Sequence, residues 1–175
     1  AAGTFFIRDY SDYGYEDMFS YLKTGLAPLS REECDELENY VLRWDIHGGA
    51  WTVERPWAQH PDGFNRDYTD EVNARLARLD SLRRRVAAPL KKLWEDGKKA
   101  GTAREQCRAL ADFWEGISLS ERLDERAGEL RSLGRAQDAE ETLQLWDKAA
   151  EALEQRIIDY ELVEELAEKL PENRK

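Results

Sequence analysis

Residues 30–44 read SREECDELENYVLRW, and their order dictates a helix with a marked start. Ser30 followed three positions later by Glu33 is the pair that satisfies two orphan N–H groups at a helix N-terminus, so the helix starts at Arg31. Behind it Cys34, Leu37, Val41 and Trp44 recur at steps of three and four, the period of one helix face. Tyr40 and Leu42 widen that stripe.

Working outward, the same period governs most of the chain. Tyr15 to Thr24 reads as a short helix with Phe19 and Leu22 inward and Gly25 as its stop. From Asp70 the period returns through Val72, Leu76, Leu79, Leu82 and Val86. Pro89 lies inside this pattern and predicts a kink or a fresh helix start, after which Leu90, Leu93 and Trp94 lead to Gly97. Thr102 with Glu105 is a second capping box, opening a helix that carries Cys107, Leu110, Ala111 and Trp114 to Gly116. Ser118 with Glu121 reads as a third, opening a helix that closes at Gly134. The last stretch, from Arg135, places Ala139, Leu143, Trp146, Ala150, Leu153, Ile157 and Tyr160 on one stripe, which extends to Leu166 and Leu170 before Pro171.

Between these segments, Asp45 to Arg66 has no period. It holds Gly48, Gly49, Gly63, Pro56, Pro61, both histidines and Trp51, Trp57 and Phe64. Long loops inside compact domains fold back on themselves, so Trp51 and Trp57 are expected to pin this one onto the helices. The fold class that follows is all-α, an irregular multi-helix bundle of six or seven helices with one long aromatic loop. The expected organisation is an extended arm over 1–14, a single helical domain over 15–170 with Trp146 in its core, and a tail over 171–175. The FFI at 5–7 in the arm reads as strand or extended chain, but one such segment makes no sheet.

Composition narrows the function. The chain has 175 residues, 36% of them charged, with a net charge of −11, and six Trp, seven Tyr and five Phe argue against disorder. So acidic a surface does not bind phosphate backbones all over. Two cysteines, Cys34 and Cys107, give neither a disulfide framework nor a metal-ligand spacing. Both lie on apolar stripes and read as buried thiols, and a reducing, cytoplasmic setting is the expectation. No apolar run approaches the roughly 20 residues a membrane span needs.

Catalytic patterns are missing one by one. No phosphate-cradling GxxxxGK[ST], no GxGxxG after a strand and no HExxH occurs. His47 and His60 lie 13 positions apart in the loop with no cysteine nearby, so a metal site would need carboxylates brought in by the fold, and His47 reads as a loop residue satisfied by backbone. The predicted catalytic, cofactor-binding and metal-binding residues are therefore none.

Charge is uneven, with residues 1–66 net −6, 67–117 net +2 and 118–175 net −7. Arg75 to Arg104 holds 10 basic residues against Asp80, Glu95 and Asp96. Within it, Arg83, Arg84, Arg85, Lys91, Lys92, Lys98 and Lys99 are the candidate contacts to a DNA backbone, since 84, 91 and 98 fall seven apart on roughly one helix face. The plain alternative is a solvated face balanced by acidic helices.

Residues 18–51, MFSYLKTGLAPLSREECDELENYVLRWDIHGGAW, resemble a segment of the B subunit of the bacterial AddAB-type helicase–nuclease. The likeness rests on Phe19, on Lys23-Thr24-Gly25, on Leu37 to Tyr40, and on Gly48, Gly49 and Trp51. Pro89-Leu90, Ala103 to Cys107 and Leu145-Trp146-Asp147 extend it over most of 15–155. What the resemblance implies is a fragment, the helical insertion of the helicase-like region. The parent family processes DNA double-strand breaks with ATP, Mg and an iron–sulfur cluster, and none of those motifs maps onto a residue here. The implied partners are the rest of the parent chain, the A subunit, and duplex or single-stranded DNA, with no membrane. The competing reading is a free-standing acidic α-helical interaction module with no nucleic-acid role.

Overall fold

The computed structural model describes residues 13–169. The expected arm lies outside them but for Tyr13 and Gly14, as do the tail and Leu170, and of the side chain of Leu166 nothing is described. Among the described residues there are six helices and no strand, so the chain is all-α. They are α1 (Tyr15–Leu22), α2 (Arg31–Trp44), α3 (Asp70–Lys99), α4 (Ala103–Gly116), α5 (Leu119–Ser132) and α6 (Ala136–Lys169). A 3-10 turn, Gly48–Trp51, lies in the loop between α2 and α3. No described helix is long and apolar enough to cross a membrane.

Two of the three expected capping boxes form. Ser30 Oγ accepts from the Glu33 N–H at 3.2 Å while Glu33 accepts from the Ser30 N–H at 2.9 Å. Thr102 and Glu105 repeat the pattern at 3.2 and 3.0 Å. The third, at Ser118, does not. Only Ile117 and Ser118 link α4 to α5, and Ser118 is spent closing α4. Its N–H donates to Glu115 O, its φ is +50°, and its side chain caps nothing. A capping residue needs extended backbone, which that tight link denies.

Pro89 starts no new helix, for α3 runs through it as one element. A proline in a helix interior costs roughly 3 kcal/mol. Val86 and Ala87 buried before it, and Leu90 packed on the core after it, offset that cost. Gly134 ends α5 at φ +75°, a backbone region glycine enters without a side-chain clash. There the Arg135 N–H reaches Leu130 O and the Gly134 N–H reaches Arg131 O, the paired bonds of a Schellman turn.

Where the sequence suggests one domain over 15–170, the described residues divide into two compact units, one ending at Trp94 and one beginning at Glu95. The apolar pattern of α3 continues across that boundary, so no break in periodicity marks it. In the unit that ends at Trp94, α1, α2, α3 and the loop share one core. It includes Phe19, Leu37, Tyr40, Val41, Trp51, Trp57, Leu79 and Val86. In the other unit α5 and α6 pack together with α4 against both, around Ala127, Leu130, Ala139 and the partly buried Leu143.

Candidate functional site

The basic stretch of α3 is the first place to look, and the structure sorts its members sharply. Arg83 is 1% exposed. Its Nε and Nη2 donate to Asp80 Oδ1 at 3.0 and 2.7 Å, and its Nη1 donates to Trp51 O and Val53 O at 2.8 and 2.9 Å. Nη2 also reaches Arg55 O at 3.4 Å. A guanidinium has five N–H donors, and these contacts use them all. The cation also lies 5.3 Å from the ring centroid of Trp57. Arg83 is the post to which the loop is tied.

Arg84 donates to Asp80 Oδ2 at 2.7 Å and to Glu54 O. Burial works to raise the carboxyl of Asp80, but the bonds from Arg84 and Arg83 outweigh it, and the group sits below its ordinary value. Arg85 donates to Pro28 O at 2.7 Å and pairs with Glu33, fastening the link between α1 and α2 to α3. The lysines lie further out. Lys91 is half-exposed at 3.7 Å from Glu54, and Lys92, Lys98 and Lys99 are exposed. Lys98 and Lys99 also occupy the last turn of α3, where cations suit the helix dipole. The sign that Arg83 and Arg84 are structural was present in sequence as Asp80, three and four positions before them.

The loop is held as expected, with Trp51 and Trp57 both buried. The Tyr40 hydroxyl donates to Gln59 O at 2.9 Å, Trp44 Nε1 to His60 O at 3.1 Å and Trp57 Nε1 to Ala50 O at 2.9 Å. Tyr40 and Trp57 stack with centroids 5.3 Å apart, and Trp51 meets Trp57 edge-on at 5.5 Å. Burial of the Tyr40 phenol pushes it up to about 12. His60 is buried, and its Nδ1 accepts from the Asp62 N–H at 3.0 Å while Nε2 lies 3.2 Å from Asp67 O. His47 Nδ1 lies 2.8 Å from Asp45 O. Both histidines are thus satisfied by backbone, as expected for His47. Among the described residues no group of three or more His, Cys, Asp or Glu side chains is arranged to hold a metal ion. Cys34 is buried, which pushes its thiol up, and Cys107 is half-buried.

The loop also builds a feature that no reading of the sequence supplied. A cavity of about 540 Å³ opens between α2 and the loop, lined by Trp44, Trp57, Phe64 and Tyr68 together with Arg55 and Arg66. None of its lining residues is Asp or Glu. Phe64 is 81% exposed and Tyr68 54%. Phe64 meets Trp44 edge-on at 4.7 Å, and Tyr68 meets His60 edge-on at 5.2 Å with its hydroxyl on Ala58 O. The backbone on either side of Phe64 has positive φ, +102° at Gly63 and +56° at Asn65. No local pattern announces this pocket. Tyr68 lies past the end of the expected loop, and only folding brings it to Trp44.

No family model matches the chain. It is similar to several proteins named as the B subunit of an ATP-dependent helicase/deoxyribonuclease. It is 34% identical over 145 residues to that of Clostridium botulinum (strain Loch Maree / Type A3), 36% over 152 to that of Clostridium kluyveri and 31% over 154 to that of Clostridium acetobutylicum. These matches cover 82%, 85% and 87% of this chain but 13% of each relative. The resemblance carried by residues 18–51 therefore holds across most of the chain, which spans only about an eighth of the length of the curated relatives it matches.

Proposed function

We propose that this chain, as a homologue of one segment of the B subunit of ATP-dependent helicase/deoxyribonucleases, is a helical scaffold within such a protein and catalyses nothing itself. The observation that supports this most is the match of 82% of the chain to 13% of a relative so named. The polar groups of the basic stretch agree with it, because Arg83, Arg84 and Arg85 spend their donors holding α3 to the loop and to the α1–α2 link. On this reading the chain's partners are the remainder of a longer polypeptide, the A subunit and the DNA being processed, in a cytoplasmic complex. ATP, magnesium and the iron–sulfur cluster belong to other parts of that complex. Where the segment meets a DNA backbone, the contacts run through Lys91, Lys92, Lys98 and Lys99 rather than the three arginines.

Two measurements test this. The purified chain, incubated with ATP, magnesium and linear duplex, is expected to turn over no ATP and cut no DNA. Magnesium-dependent cleavage that persists through repurification overturns the scaffold reading. In duplex titrations, binding is expected to be weak, blind to sequence and steeply weakened by salt, and to fall further when Lys91 and Lys92 become Glu. Binding indifferent to salt and to those reversals removes the lysines from the account.

A further inference from the structure

Two cavities have the size of a site, and their charge separates them. The one in the unit from Glu95 on is bordered by Trp114 and Trp146 but also by Glu115, Glu121 and Glu154. The one beside Trp44 has arginines and no carboxylate in its lining, in a chain of net charge −11. We propose that this second pocket docks a short acidic segment of a separate protein. One bulky apolar side chain of that segment sits among Trp44, Phe64 and Tyr68, and the carboxylates around it are held by Arg43, Arg55 and Arg66. The inference goes beyond the scaffold role and does not depend on it.

Charge carries the argument first. Within the same unit the five arginines of α3, Arg75, Arg78, Arg83, Arg84 and Arg85, each hold a carboxylate. Arg55 and Arg66 in the pocket lining are exposed, as is Arg43, whose Nη1 lies 3.8 Å from where a Cβ on Gly63 would stand. None of these three is paired with a carboxylate among the described residues. Glu54 and Asp62, beside Arg55 and Gly63 in sequence, face Lys91 at 3.7 Å and Arg75 at 3.2 Å instead. Acids outnumber bases 37 to 26 in the chain, so three unpaired guanidiniums around one cavity point to an anion supplied from outside. A guanidinium fork matches a carboxylate with two bonds at once, and arginine clusters are common readers of acidic motifs.

Shape decides which anion. Leaving Phe64 81% exposed forgoes most of the stabilisation that burying a Phe contributes, so an apolar group that covers it gains what folding left unused. Phe64 meets Trp44 at 76°, and Tyr68 meets His60 at 79°. Rings set nearly at right angles form corners rather than a parallel platform, and a corner fits one bulky side chain better than a run of stacked bases. Trp44, Trp57 and Tyr68 each donate their polar hydrogen to a loop carbonyl. The rings are therefore fixed before an anchor arrives, and little ordering is left to oppose binding. A cavity of about 540 Å³ holds a few residues. A short peptide keeps its charge at the three guanidiniums, whereas a longer polyanion runs on over an acidic surface that repels it.

The test is a fluorescence-anisotropy titration of the whole chain at low salt. The probe is a labelled, end-capped peptide of one phenylalanine between two pairs of glutamates. It is expected to bind about ten- to hundredfold more tightly than the same peptide with alanine at its centre, the worth of burying one such side chain. Phe64→Ala, at an exposed site that leaves the melting curve unchanged, is expected to weaken the phenylalanine peptide about two- to tenfold, the worth of one aromatic pair. Arg55→Gln with Arg66→Gln is expected to weaken both peptides about two- to thirtyfold, the sum of two exposed ion pairs. No binding of the phenylalanine peptide overturns the proposal, and so does equal binding of the alanine one, which leaves charge without a pocket. Indifference to both sets of variants puts the peptide elsewhere and overturns it too. Oligodeoxythymidylate of five nucleotides that binds more tightly than the peptide, with the same losses in the variants, gives the pocket to nucleic acid and also overturns it.

Discussion

The two units of this chain are built from similar helices and hold themselves together by different means. Up to Trp94, sixteen buried side chains among the described residues form one core, and three of them, Ile46, Trp51 and Trp57, come from a loop with almost no regular structure. From Glu95 on, α5 and α6, with α4 against both, enclose a core of Ala127, Leu130 and Ala139. Leu133, Leu145 and Ile158 remain exposed in that second unit. Helical periodicity is equally plain in both. The difference teaches that a stripe tells where a helix can bury itself, not how much it finds to bury against. In the first unit the irregular segment supplies the missing volume and Arg83 ties it down.

The sharpest way to break this comparison is to empty the loop's contribution. Trp51 is fully buried, between Phe19 at 6.2 Å and Trp57 at 5.5 Å. Trp51→Ala is expected to destabilise the first unit by about 3–5 kcal/mol, the usual cost of truncating a large core aromatic. Such a loss takes up much of a domain's whole margin. Urea denaturation followed by far-UV circular dichroism measures it. A loss under about 1 kcal/mol, typical of an exposed site rather than a core one, would show that the loop decorates the core rather than completing it.

A smaller effect tests the same region through pH. The Tyr40 phenol is raised to about 12 from 10.0 by burial, so folding favours its protonated form. The stabilisation is therefore whole below pH 10, where both states keep the proton. It drains away as pH rises toward 12, because the unfolded chain releases the proton first. About two pH units correspond to roughly 2–3 kcal/mol. Stability is expected to fall across pH 10 to 12 by about that much more in the natural chain than in Tyr40→Phe, which has no proton to lose. Parallel curves for the two proteins would mean that Tyr40 is not sealed.

How much of this was legible in the sequence depends on the range of each interaction. The boxes at Ser30–Glu33 and Thr102–Glu105 are local, and they form as their spacing dictates. Ser118–Glu121 has the same letters, but its backbone is set by the end of α4, which lies outside the motif. Pro89 reads as an interruption because its missing N–H is local, whereas the packing of Val86 and Leu90 that carries α3 through it is not. Asp80, three positions before Arg83, signals in sequence that this arginine has a local partner, but not that it is buried. Only the arrival of the carbonyls of Trp51, Val53 and Arg55 from some thirty residues away buries it. The pocket at Phe64 and the division after Trp94 were illegible for the same reason, since each arises from contacts that no window of sequence contains.

The smallest expected effect concerns the second unit, and it reverses an expectation drawn from the stripe alone. Periodicity puts Trp146 in the core, with a truncation cost of about 3–5 kcal/mol. The structure leaves it half-buried, its ring tilted 60° against Trp114 at 5.5 Å beside a cavity of about 700 Å³. A cavity already present means that Trp146→Ala enlarges a gap instead of opening one. What it loses is the aromatic pair, worth about 0.5–1.5 kcal/mol, and part of a side chain's apolar burial. The expected cost is about 1–2 kcal/mol. Trp114→Ala should cost a similar amount, and the double variant less than the sum, because the pair is lost only once. The readout is the urea midpoint for the three variants, followed by the loss of helical signal. If Trp146→Ala alone costs as much as Trp51→Ala, the second unit has a core as demanding as the first, and the contrast between a loop-filled unit and a sparsely filled one collapses.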